Sequence, residues 1–299
     1  MIVGAQKSGT TSLKNYLGQH PSIITHLQTE FSFFVEEKEY NNGMESAFKN
    51  YFSDVMPYGL RRIVAKSATL YSDEKSLQRL KASNPDCQLV LLLRNPIDRA
   101  YSSYLMEVNA GWFDQPWSDI RTSVQKFKQG EKDQMFRLFI EMGLYAEHLE
   151  KIYRCFPKEQ VLILSFNDLK TSPGEVCQTI FRSIGLNDSF TPETSKRFNP
   201  TKRPHAKHLS KLVTWLRFNH NPIKRAVKFI LPRATFTQLG HWINESISKP
   251  HQPESMDPGL QRLLSDFFEP YNAELEKMTG MNFQRWNIRE EKIDKKLFQ

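Results

Sequence analysis

The sequence predicts an α/β fold in three layers, with a central and mostly parallel sheet flanked by helices. Three observations carry that expectation. Short apolar runs alternate with segments of helical period along the chain. Two of the runs, Gln88–Arg94 and Val161–Phe166, are almost continuously apolar, as strands buried on both faces are. The first run, Ile2-Val3, enters a glycine-bearing turn and then a helix, an order that builds parallel sheets with right-handed crossovers. At 299 residues the chain can bury a substantial core, and it reads as a single domain over residues 1–299.

The first turn sets the fold type. Gly4 and Gly9 bracket Ala5-Gln6-Lys7-Ser8, and Leu13, Tyr16 and Leu17 then share one helical face. Such a turn aims backbone N–H groups, and the positive end of the helix dipole, at whatever lies above it. It is a candidate phosphate cradle of P-loop type, with an ordinary strand-to-helix turn as the plain alternative. The glycine spacing is that of a Walker A loop, but Thr10 stands where that loop has its lysine, and the one lysine, Lys7, lies earlier. A shifted cation suits an anionic nucleotide whose triphosphate is not cleaved.

His20-Pro21 ends the first helix, and Ser22–Thr25 reads as a short strand. In Thr29-Glu30-Phe31-Ser32-Phe33-Phe34 the phenylalanines Phe33 and Phe34 read as core. Glu30 is either a solvated loop acid or a carboxylate held by those rings, where its raised pKa would suit a general base. Gly43–Phe52 has an amphipathic helical pattern. Ile63–Lys66 is a strand ending in a lysine, placed where open α/β sheets bind ligands, although a surface lysine would look the same. Gln88–Arg94 is the strongest strand, and Pro96 opens the next helix. Arg94 and Ser102, two turns into that helix, could converge on one anion. Helices are expected over Trp112–Lys128 and Met135–Phe156, then the Val161–Phe166 strand and a turn at Asn167-Asp168-Leu169. A helix from Ser172-Pro173 stops at Gly185, and Leu260–Met278 is the last long helix.

Composition is that of a globular protein, 39% hydrophobic and 25% charged, and no run is long enough for a membrane span. The N-terminus lacks a secretory pattern. A strand beginning at residue 1 is unusual and leaves a preceding natural extension open. Cys87, Cys155 and Cys177 have neither pairing nor metal spacing, so buried free thiols and no metal site are expected. The net charge of +8 is concentrated: from Lys196 to Asn244 there is no acid, while eleven lysines and arginines fall between Lys196 and Arg233. Residues 196–250 form an expected basic helical insertion, with apolar faces at Leu212–Leu216 and Ala226–Leu231; these read first as helices packed on the core with solvated charges, and alternatively as a surface facing an acceptor or a membrane. Thr201-Lys202-Arg203-Pro204-His205 reads as a loop closing over an anion.

Taken together, Gln6-Lys7-Ser8-Gly9-Thr10-Thr11 and Arg94-Asn95-Pro96-Ile97-Asp98-Arg99-Ala100-Tyr101-Ser102 resemble the 5′-phosphosulfate loop and the 3′-phosphate motif of sulfotransferases that use 3′-phosphoadenosine 5′-phosphosulfate (PAPS). Stretches around Gly143-Leu144-Tyr145, Phe166-Asn167-Asp168-Leu169 and Phe268-Glu269-Pro270-Tyr271-Asn272 also fit, so the resemblance runs to about Trp286. It is nearer to the carbohydrate-type and bacterial enzymes, heparan sulfate sulfotransferases among them, than to those acting on small phenols. Thr29–Phe34 resembles their base-bearing segment, with Thr29 for the usual lysine. Lys66-Ser67-Ala68-Thr69 resembles a Lys-Ser/Thr-Pro segment, with Ala68 for the proline and Ala65 for a frequent acid.

The resemblance implies a role for each site residue. Lys7, Ser8, Gly9, Thr10, Thr11 and Ser12 would hold the 5′-phosphosulfate, Arg94 and Ser102 the 3′-phosphate, and Lys202 and Arg203 a loop closing over the cofactor. Glu30 would be the base, with His26 and His205 next in line, and Lys7 and Lys66 would stabilise charge on the leaving phosphate. No metal is needed. The implied product is adenosine 3′,5′-bisphosphate, and the implied acceptor a hydroxyl or amine on a carbohydrate or lipid-linked molecule, acidic if the basic stretch recruits it. No nucleic acid partner is expected. Two other readings stay open: a P-loop kinase-like nucleotide enzyme, and a non-catalytic module binding acidic glycan or membrane. The expected location is the cytoplasm, peripheral membrane contact included, with a Golgi-lumenal catalytic fragment as the alternative.

Overall fold

The computed structural model describes residues 1–52, 61–195, 202–204, 248–250, 256–283 and 286. Its elements follow in order: β1 (Ile2–Gly4), α1 (Thr10–Leu17), β2 (Ile23–Thr25), α2 (Glu37–Asn41), α3 (Met44–Phe52), β3 (Arg62–Val64), α4 (Glu74–Ser83) and β4 (Leu89–Leu93). Then come α5 (Pro96–Ala110), α6 (Ile120–Lys128), α7 (Tyr145–Cys155), β5 (Val161–Ser165), α8 (Phe166–Thr171), α9 (Pro173–Ser183), β6 (Lys202–Pro204), β7 (Ser248–Pro250) and α10 (Pro258–Thr279).

β4 pairs in parallel with β1 on one side and β5 on the other, Leu89 opposite Val161 through Leu93 opposite Ser165. β2 and β3 form a second parallel pair. A parallel bridge between Ile2 and Lys66 joins the two sets, with Ile2 N donating to Ala65 O at 2.8 Å and Ser67 N to Ile2 O at 2.9 Å. The order is therefore β2-β3-β1-β4-β5. The chain leaves β1 toward β2 on one side and reaches β4 on the other, so a topological switch point lies between β1 and β4. Ligands of open α/β sheets bind outside the carboxyl ends of strands at such a point.

The strand period of two separates the layers. Val3, Leu89, Leu91 and Leu93 face a core shared with Leu77 and Leu80 of α4, Leu149 and Ile152 of α7 and Leu275 of α10. Ile2, Val90 and Leu92 face the other core, with Leu13 and Leu17 of α1 and Ile180 and Phe181 of α9. A third cluster packs α5 and α6 against α10. The three-layer α/β expectation holds.

Several expected elements differ. The 112–128 segment turns helical only at Trp117–Asp119, a short 3-10 turn after Pro116, before α6. Met135–Phe156 is broken into a π-helical turn (Phe136–Ile140), a 3-10 turn (Glu141–Gly143) and α7. At Gly143 an added Cβ would stand 3.0 Å from Pro96 and 3.1 Å from the Phe268 ring, so two other elements pack closely against this break. Asn167–Leu169 is no turn: α8 starts directly after β5, with the Ser165 hydroxyl accepting from Asn167 N at 3.0 Å. Of the expected 201–205 loop, Lys202–Pro204 is strand β6, antiparallel to β7 with Arg203 opposite Lys249. The expected helices of the 196–250 insertion, His205 and the side chains of Lys202 and Arg203 lie outside the described residues. All three cysteines are free, but only Cys177 is buried.

Candidate active site

The turn after β1 is shaped by its two glycines for different reasons. A Cβ at Gly4 would fall 2.3 Å from the buried Tyr71 ring. Gly9 caps α1 with φ 82°, in the left-handed region that glycine adopts without steric cost. Lys7 is also left-handed, at φ 69°. α1 has no side-chain cap hydrogen bond at Gly9 and no acid in its first turn, so no carboxylate of that turn offsets the positive end of its dipole. Ser8 and Thr10 are buried in the turn, and Ser103 on α5 donates to Gln6 at 3.3 Å.

Arg94 leaves the end of β4 and donates from Nη1 to the Lys7 carbonyl at 2.9 Å. Its guanidinium lies 5.0 Å over the Phe166 ring, and its own carbonyl accepts from the Tyr145 hydroxyl at 2.9 Å. Burial holds Lys7 down at about 8, helped by repulsion from Arg94 and opposed by Glu107 on α5. Ser102 is buried on the same helix. Beside Arg94 a cleft of about 780 Å³ opens at the carboxyl ends of β4 and β5, walled by Asn95, Asp98, Phe166, Lys170, Phe283 and Trp286. Nucleotide-sized ligands fit clefts of this order.

Glu30 and Lys66 meet at the neighbouring strand ends. Lys66, with a side chain 1% exposed, donates to Glu30 Oε1 at 2.5 Å and to Thr11 Oγ1 at 3.1 Å. Glu30 Oε2 accepts from Ala68 N at 2.9 Å. Of the two environments open for Glu30, a solvated loop acid or a carboxylate held by the rings, neither describes its contacts: Phe33 and Phe34 are buried in the core, and the carboxylate is held by an ammonium and an amide. Lys66 is itself pushed below the usual lysine value by burial, with Glu30 opposing the shift.

Lys14 had no assigned role in the sequence, where it is one more lysine on an amphipathic helix. It is buried, and its ammonium donates to the carbonyls of His26 at 2.7 Å and Gln28 at 3.0 Å. Burial, then repulsion from Lys66, lowers it to about 8, against a raising effect of Glu30. His26 is sealed in the core as well. Its Nε2 accepts from Lys66 N at 3.1 Å, and burial with the two lysines holds its pKa at about 3. The ring thus sits in the core with Nε2 committed to the Lys66 amide, away from solvent.

Residues 1–248 match the family model described as "Sulfotransferase domain". The chain belongs to the sulfotransferase family. It is 25% identical over 303 residues to the bifunctional heparan sulfate N-deacetylase/N-sulfotransferase 1 of Xenopus laevis, covering 97% of this chain and 31% of that one. It is likewise 25% identical over 285 residues to human heparan sulfate glucosamine 3-O-sulfotransferase 6, covering 95% and 72%. The chain thus spans about a third of the length of the bifunctional relative. A sulfotransferase structure from Alicyclobacillus acidocaldarius shares the fold, with a TM-score of 0.65 at 22% identity over 96% of this chain and 97% of that one.

In the chain, Lys7, Ser8, Gly9, Thr10, Thr11 and Ser12 share one turn and the start of α1, and Arg94 is bonded to that turn. Glu30 and Lys66 join it through Thr11. Ser102 stands on α5 next to Ser103, which contacts the turn. Lys202 and Arg203 contribute a described backbone only. Glu107 and Lys14, both missed in the sequence, lie close enough to the site to shift or share its charges.

Proposed function

We propose that this sulfotransferase moves a sulfuryl group from PAPS to a hydroxyl or amine of a carbohydrate acceptor. One observation carries the reading: the buried Lys66 ammonium is bonded at once to Thr11 of the anion loop and to the Glu30 carboxylate. A base and an anion cradle therefore share one cation. The carbohydrate class is supported by the relatives, named for heparan sulfate.

The residues present fit the donor. The uncapped start of α1 offers N–H groups to a 5′-phosphosulfate. Arg94 keeps a buried Nε without a partner among the described residues, a spare donor for the 3′-phosphate that Ser102 would share. When bound, PAPS supplies the sulfuryl group and a phosphate leaving group. Glu30 takes the acceptor's proton as the acceptor oxygen or nitrogen bonds to sulfur and the sulfur–oxygen bond to phosphate breaks. Lys66 holds Glu30 in place and, with Lys7, faces the charge that grows on the leaving oxygen. Preorganised cations act in this way without reorganising during the reaction.

The test measures transfer of labelled sulfate from PAPS to desulfated heparan-type glycans, beside calorimetry comparing adenosine 3′,5′-bisphosphate with ATP. Transfer, and preference for the bisphosphate, are expected. Tighter binding of ATP with no sulfation of any glycan would overturn the reading in favour of a kinase-like enzyme.

A further inference from the structure

A lysine buried without a carboxylate of its own is costly, because its charge loses water and gains only dipoles. Lys14 is such a residue. Its ammonium is bonded to two backbone carbonyls, His26 and Gln28, and its ionised neighbours are Lys66, which repels it, and Glu30, which does not touch it. A leucine or methionine could fill the same buried helical position at less cost, so the charge calls for a reason outside packing.

The position of the two carbonyls supplies it. Residues 26–30 carry no regular secondary structure, yet they end at Glu30. The stretch is fastened from several sides. Lys14 takes its carbonyls, the Lys66 amide donates to the His26 ring, and Phe31 N donates to Lys66 O at 2.7 Å. Lys14 stands one turn after Thr11 on α1, and Thr11 accepts from Lys66. One face of α1 thus grips the base through Lys66 and the loop that bears it through Lys14. The leading end of the same helix is the anion cradle.

We infer that Lys14 is a positioning residue for sulfuryl transfer: it pins the Glu30-bearing loop to the helix of the phosphate turn, so that base and donor keep one register. The inference rests on the proposed role of Glu30. Displacing a reacting group by about 1 Å can cost on the order of 100-fold in rate. Losing Lys14 should therefore lower kcat and leave donor binding alone, since Lys14 contacts carbonyls of the base loop.

The experiment uses the whole chain with Lys14→Met, Lys14→Arg, Glu30→Gln and the Lys14→Met/Glu30→Gln double variant. For Lys14→Met, kcat is expected to fall by about 10–100-fold, with an unchanged dissociation constant for adenosine 3′,5′-bisphosphate and a melting temperature close to that of the parent, since relief of the buried charge offsets the two carbonyl bonds lost. Lys14→Arg should recover part of the rate. In the Glu30→Gln background, Lys14→Met should add little further loss, because the loop then positions no base. The alkaline limb of kcat against pH should also move when Lys14 is removed, since Lys14, Lys66, Glu30 and His26 face one another across α1, the 26–30 loop and the end of β3. Unchanged kcat in Lys14→Met, or a loss that tracks melting or donor binding, overturns the inference. If instead Glu30→Gln retains parental activity, the base assignment itself fails, a result distinct from the failure of Lys14 alone.

Discussion

Replacing Glu30 by glutamine separates its proposed role as base from its structural contacts. The carboxylate accepts from two donors, Lys66 Nζ at 2.5 Å and Ala68 N at 2.9 Å. Glutamine keeps the shape but has one acceptor oxygen, so one of the two donors must face an NH₂ group. The loss is one charge-assisted hydrogen bond, about 1.5–3 kcal/mol at full strength. Glu30 is 39% exposed, which screens the pair and brings the stability cost to roughly 1–2 kcal/mol. The kinetic effect should be larger. Loss of a general base lowers kcat by about 10²–10⁴, equivalent to about 2.7–5.4 kcal/mol at 1.36 kcal/mol per tenfold. Donor affinity should stay within about threefold, because Glu30 reaches the cradle only through Lys66 and Thr11. Initial rates at saturating donor and acceptor, a calorimetric titration with adenosine 3′,5′-bisphosphate and a thermal melt resolve the three quantities. A variant that binds and melts as predicted but keeps more than a third of the parental kcat would refute the assignment.

Other outcomes follow from the same geometry. Arg94→Ala removes a guanidinium bonded to the phosphate turn and should weaken adenosine 3′,5′-bisphosphate by about 10–100-fold, the worth of one or two kcal/mol or slightly more, with a smaller effect on adenosine 5′-monophosphate. Equal losses for the two nucleotides would show that Arg94 shapes the turn without touching a 3′-phosphate. Lys7 has a pKa of about 8 in the free protein, and its protonated form is the one that attracts the donor. Affinity for the bisphosphate should therefore be level below pH 8 and fall above it, by up to about tenfold per pH unit, while Lys7→Met should flatten that fall in calorimetric titrations. Gly4→Ala places a Cβ 2.3 Å from Tyr71 and should cost about 1–3 kcal/mol or more in chemical denaturation; a neutral result would mean that the Tyr71 ring can move aside.

What could be read from the sequence was local. The turn between Gly4 and Gly9 is a short span whose conformation follows from glycine and from the start of a helix, and it appears where the residues put it. Leu89–Leu93 is a central strand because its residues are apolar on both faces. The motif that runs from Arg94 to Ser102 spans one strand end and one helix, and the helix starts at Pro96. The helix over 135–156 could not be read correctly, because no local pattern marks its break at Gly143, where Phe268 and Pro96 pack closely from distant parts of the chain. Asn167–Leu169 misled for the opposite reason: turn-forming residues there are overridden by a cap from Ser165.

The sequence by itself determined the parallel α/β architecture, the glycine turn at the start of α1 and the cation at the end of β4, since each depends on residues close in the chain and on patterns of period two or 3.6. Only the tertiary structure decided the partners of Glu30. Lys66 is 36 residues away from it, and Lys14 belongs to a different element, so neither contact leaves a trace in local pattern. They meet because the Ile2–Lys66 bridge lays β3 beside β1, bringing the end of one strand to the helix that follows the other. Strand order sets which loops share an edge, and that order is fixed by long-range packing. The Glu30 carboxylate is for that reason held by a buried ammonium, and the helix that follows the glycine turn also anchors the loop that carries Glu30.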